Sequence, residues 1–106
     1  CHPDRSLPTI YQLTILNPAQ PGKFGYPPDV YGTSMSTPEV AATAALVIAS
    51  GVIGRNPTPD QILSRLEKTA TPLGGAAPNS DYGYGLVNAG AATAPIATAA
   101  KGTRAP

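Results

Sequence analysis

The sequence predicts a chain of mixed strand and helix from three stretches: a β-prone run from Ile10 to Leu16, an apolar helix from Val40 to a glycine stop at Gly51, and a capped amphipathic helix opening at Pro59. The strand reading rests on Ile10-Tyr11-Gln12-Leu13-Thr14-Ile15-Leu16, which is apolar and partly alternating after Pro8. Asn17-Pro18-Ala19-Gln20-Pro21-Gly22-Lys23 follows as a loop of turn formers. Pro27 and Pro28 then forbid helix and keep the lead into Tyr31 extended.

The next nine residues, Gly32-Thr33-Ser34-Met35-Ser36-Thr37-Pro38-Glu39-Val40, place a hydroxyl at the mouth of a helix with no polar face. From Val40 the chain reads Ala-Ala-Thr-Ala-Ala-Leu-Val-Ile-Ala-Ser to Gly51, with Thr43 as its one polar interior residue. Apolarity on every side predicts a buried helix, and glycine predicts its C-terminal stop. Thr33, Ser34 and Thr37 supply N-cap hydroxyls, and Pro38 suits a first turn, where its missing N–H removes no bond. Ser34 is thereby expected beside unpaired amides and the positive end of a helix dipole, a setting suited to an oxyanion.

Downstream, Thr58-Pro59-Asp60-Gln61 carries a helix start: Thr58 as N-cap, Pro59 as first helical residue, Asp60 favouring the dipole, and Gln61 completing a capping box. This helix is expected from Pro59 to about Ala70, with Ile62, Leu63, Leu66 and Ala70 as its apolar stripe and Gln61, Arg65 and Lys68 facing water. Pro72, Gly74 and Gly75 end it. Asn79 to Ala89 then reads Asn-Ser-Asp-Tyr-Gly-Tyr-Gly-Leu-Val-Asn-Ala, where glycines permit a tight turn or close approach and Asn88 caps a short helix through Ala92. Asp81 reads as a turn residue. Beyond Pro95 the chain has no periodicity or bulky core, as expected of a tail or linker.

Composition bounds the function. The chain has 106 residues, formal net charge +1 and no basic or acidic run, so neither nucleic acid nor a membrane surface is an expected partner. No apolar run approaches the ~20 residues that span a bilayer. Apolar residues reach 42%, but much of that is alanine, alongside 11 glycines and 13 prolines. A domain of this size buries only roughly 60–65% of its unfolded surface, and independent folding is not expected. The chain begins with Cys1, shows no signal peptide, and reads as a piece of a longer one. A single cysteine forms no disulfide within the chain.

The Gly32 to Ala41 stretch resembles the active-site serine motif of the subtilisin-like serine proteases, with Gly32, Thr33, Ser34, Met35, Pro38, Val40 and Ala41 matching in type and spacing. Ser36 stands where alanine is usual, and Glu39 where a histidine that is not the general base is usual. Tyr82, Gly83, Gly85, Leu86, Val87, Asn88 and Ala89 resemble the motif that closes those catalytic domains. The resemblance runs from Gly25 to about Ala94 and implies the C-terminal portion of a three-layer α/β/α fold with a mostly parallel sheet. Residues 1–95 would belong to that peptidase domain and 96–106 to an Ala/Thr/Gly/Pro tail.

What the resemblance implies is acyl transfer from a polypeptide substrate to Ser34, with the aspartate, the histidine and the oxyanion-holding asparagine supplied by an upstream part of the same chain. His2, the one histidine, has none of the family's setting for the base and reads as a loop residue. Tyr26 and Tyr31 read as loop packing, with cleft lining as the alternative. No cofactor or metal ligand is expected in this segment. A structural calcium belongs to the full domain by resemblance, as does a secreted or cell-envelope location. Oligomeric state is left open. Three alternatives remain: a sedolisin-type enzyme using a glutamate base, a pseudoprotease or interaction module that keeps the scaffold without catalysis, and a free-standing binding domain.

Overall fold

The computed structural model describes residues 10–28 and 30–96, so the expectations for Cys1, His2 and the tail after Ile96 lie outside the described residues. The chain divides into two compact units, residues 1–40 and 41–106. The described elements are β1 (Thr14–Ile15), β2 (Phe24–Gly25), α1 (Thr33–Ser50), α2 (Pro59–Thr69) and α3 (Ala89–Thr93).

In the first unit only Thr14–Ile15 of the expected strand pairs. It forms an antiparallel hairpin with β2 in the register Thr14 to Gly25 and Ile15 to Phe24. The turn formers between them, expected as a loop, close the hairpin. Gln20 N–H donates to Asn17 O and Lys23 N–H to Gln20 O, both at 2.9 Å, while the Asn17 side chain accepts from Ala19 N–H at 2.9 Å. The rings of Tyr11 and Tyr26 stack 4.4 Å apart and 8° from parallel. This hairpin is the one sheet among the described residues, so a parallel sheet is not part of what they contain.

Helix α1 corrects the sequence reading in two ways. It starts at Thr33 and carries Pro38 inside it, so Thr33, Ser34 and Thr37 are helical residues rather than caps. The Thr37 hydroxyl donates back to Thr33 O (3.2 Å) instead of accepting from a free amide. Nor is the helix buried throughout: of its residues only Thr43 and Val47 are buried, whereas Val40, Leu46 and Ile48 are 41%, 52% and 46% exposed. Burial of an apolar helix needs chain on every side of it, and the described residues do not provide that much cover. The end of α1 is as expected, with Gly51 N–H donating to Ile48 O at 3.2 Å.

Helix α2 forms as its local signals require. Thr58 N–H donates to Gln61 Oε1 (2.9 Å) and Gln61 N–H donates to Thr58 Oγ1 (3.3 Å), the reciprocal pair of a capping box, with Pro59 first in the helix. Thr58→Ala is therefore expected to lower stability by about 1 kcal/mol, measured as a midpoint shift in chemical denaturation. Ile62, Leu66 and Ala70 are half-buried, but Leu63 is 54% exposed, so the expected stripe is narrower than its spacing suggested. Arg65 does not face water: it is half-buried, with its guanidinium bonded to carbonyls of α3.

The chain after α2 doubles back on it. Thr71 and Leu86 form an antiparallel bridge, and α3 lies against α2, capped by Asn88, whose side chain accepts from Ala91 N–H at 2.9 Å. The intervening loop is tied by Asn79, which donates to Leu73 O (2.8 Å) and accepts from Tyr82 N–H (2.9 Å). Val47 and Ala92, both fully buried, are the core of the second unit, and Thr43 is buried with them at 4% exposure. Among the described residues no buried side-chain polar atom lacks a partner, and no helix is long and apolar enough to cross a membrane.

Candidate active site

The site is built from the chain's approach to α1. Gly32, at φ +129°, turns the extended lead into the helix, and its carbonyl accepts from Met35 N–H at 3.0 Å. Thr33 and Ser34 thus precede the first hydrogen bond of the helix, and their amides have no acceptor within it. Ser34 is exposed in the first turn, where the dipole is positive.

The helix itself decides which side chains accompany Ser34. Residues three and four positions on share its face, and these are Thr37 and Pro38. Thr37 is committed to Thr33 O. Pro38, lacking an N–H, leaves the Ser34 carbonyl without its helical donor. Glu39 and Ser36 are also exposed, but neither spacing brings a side chain beside Ser34. The site as described therefore contains a nucleophile candidate and amide donors, with no base beside them on the helix. Asp81 sits in a turn, as its sequence setting predicted, in the second unit. Its amide donates to Asn79 Oδ1 (3.2 Å) and its carboxylate accepts from Ser80 Oγ (3.5 Å).

Among the described residues no three His, Cys, Asp or Glu side chains cluster. The residue that sequence reasoning missed is Arg65, because its partners are main-chain carbonyls of alanines and leave no side-chain signal.

Comparison with known proteins bears on this geometry directly. The family model described as the Subtilase family matches residues 20–85, a span that contains β2, the Ser34 turn, α1 and α2 and runs on past Thr71 to Gly85. The chain belongs to the subtilase family. Subtilisin BL of Lederbergia lenta is 44% identical over 85 residues, covering 76% of this subtilase chain and 29% of that protein. An alkaline protease of Shouchella clausii is likewise 44% identical over 85 residues, covering 76% of the chain and 21% of the relative. A thermostable alkaline protease of Halalkalibacterium halodurans is 52% identical over 64 residues, covering 58% of the chain and 16% of the relative. The chain thus spans less than a third of the length of these relatives. No solved structure matches it.

Proposed function

We propose that Ser34 is the nucleophile of a serine endopeptidase, and that this subtilase chain is the C-terminal portion of the catalytic domain. The observation that carries the reading is an exposed hydroxyl in the first turn of α1, next to amides that have no helical acceptor, inside a Gly-Thr-Ser-Met motif. A histidine from upstream chain takes the Ser34 proton as Oγ attacks the peptide carbonyl, and an aspartate holds that imidazole in the productive tautomer. The tetrahedral oxyanion is held by the Ser34 backbone N–H and an upstream asparagine side chain. Collapse breaks the C–N bond, the departing amine takes the proton from the imidazolium, and water then hydrolyses the acyl-enzyme by the same route in reverse.

The half-exposed Val40, Leu46 and Ile48 of α1 fit the same reading. Relatives that are 44% identical are more than three times as long as the segment they share with this chain. The upstream part of the same chain is the cover that α1 lacks, laid down as the rest of a three-layer α/β/α domain with a mostly parallel sheet. We also assign the full protein to the cell exterior or envelope, on family resemblance. The imidazole base, as against the carboxylate of a sedolisin, predicts activity that falls as pH drops through about 6.5, the range in which imidazole protonates.

The test is a fluorophosphonate label. Full-length protein is expected to be labelled at Ser34, located by peptide mass. The 106-residue chain alone is expected to stay unlabelled, because an alcohol without its base is a poor nucleophile. An unlabelled full-length protein would show that the scaffold is kept without catalysis. A labelled short chain would show that the base lies within it.

A further inference from the structure

Arg65 presents one guanidinium to three main-chain carbonyls at the end of α3. Nε donates to Ala92 O (2.8 Å), while Nη2 donates to Ala91 O (3.0 Å) and Ala94 O (2.7 Å). Helix α3 has only five residues, Ala89–Thr93, far below the length at which a helix holds itself in water. Its closing carbonyls have no donors of their own. The guanidinium supplies them, with positive charge at the negative end of the helix dipole. A planar fork can reach several carbonyls at once, whereas a lysine ammonium is a point donor on a flexible stem.

The other end of this segment is held by backbone. Thr71 N–H donates to Leu86 O and Leu86 N–H to Thr71 O, both at 2.8 Å, and Asn88 Nδ2 donates to Thr71 Oγ1 at 3.3 Å. From Leu86 to Ala94 the chain is therefore laced antiparallel to the run from Thr71 back to Arg65, tied at both ends. Between the ties Ala92 is fully buried and Val87, Ala89 and Ala91 are half-buried, while Leu86 is 59% exposed and Gly90 is exposed. Polar lacing at both ends adds to that packing in holding the segment.

We propose that residues 86–94 form a strap that opens from α2 as a unit, and that Arg65 is the clasp that keeps it closed. Opening exposes α3 and the bridge while α2, held by its own capping box, stays helical. The proposal does not depend on Ser34 being catalytic.

Hydrogen exchange of the full-length protein, read by mass spectrometry, tests it. A Ser34→Ala background keeps any self-cleavage out of the measurement. In Arg65→Met, amides of 89–93 are expected to exchange about 10²-fold faster, with α2 amides unchanged. Arg65→Lys should fall between Met and wild type. Thermolysin should cut within 86–96 sooner in the same order. Unchanged α3 exchange in Arg65→Met would overturn the clasp, and equal acceleration of α2 and α3 would overturn the separately opening strap. If the methionine variant does not fold, the lysine variant is read by the same two criteria.

Discussion

Full-length protein carrying Ser34→Ala is expected to lose about 10⁶-fold in kcat, the magnitude measured when the nucleophile of subtilisin itself is removed. KM should change little, because the hydroxyl acts on the reacting carbonyl rather than on the rest of the substrate. Stability should stay within about 0.5 kcal/mol, since Ser34 is exposed. Ser36→Ala is the control. Ser36 is also an exposed hydroxyl of the first turns of α1, but two positions on, and i,i+2 residues do not share a helix face. It should leave kcat within a few-fold. Peptide hydrolysis assays of both variants decide the matter: loss in the Ser36 variant with retention in the Ser34 variant would move the nucleophile to the wrong hydroxyl.

The parts of this chain that were legible in sequence are those whose cause is local. Thr58 and Gln61 sit three apart and satisfy each other, so the box needs nothing from elsewhere. Asn88 caps α3 for the same reason.

What was not legible depends on neighbours. The start of α1 was expected after Thr37, because hydroxyl residues favour caps and proline favours a first turn. In the structure the helix continues through Pro38, at the loss of the bond that Ser34 O would otherwise accept. Arg65 was placed on the wet side of α2 because charge and helical period put it there, and the carbonyls it holds belong to a helix more than twenty residues away in sequence. The burial of α1 was read from its composition, which reports what the helix needs rather than what the surrounding chain supplies.

Gly85→Ala is expected to destabilise the full-length protein by about 3 kcal/mol, a large effect for the addition of one methyl group. Gly85 has φ +112°, a region that a Cβ disfavours by about 1–2 kcal/mol on its own. A Cβ there would also strike the Thr71 carbonyl oxygen and lie 2.8 Å from Thr71 C and 2.9 Å from Pro72 Cα. These are backbone atoms and cannot rotate aside, so the strand bridge must part. With it go the two Thr71–Leu86 hydrogen bonds, worth about 1 kcal/mol each. Gly83 separates the two contributions. It also has positive φ, +53°, but a Cβ there would meet nothing within 4 Å. Gly83→Ala should therefore register the backbone strain alone, about 1 kcal/mol. Denaturant midpoints of the two variants measure the difference, and exchange at the Thr71 and Leu86 amides locates it. Equal destabilisation by both substitutions would mean that handedness of the backbone, and not the close approach of Thr71, is what demands glycine at 85.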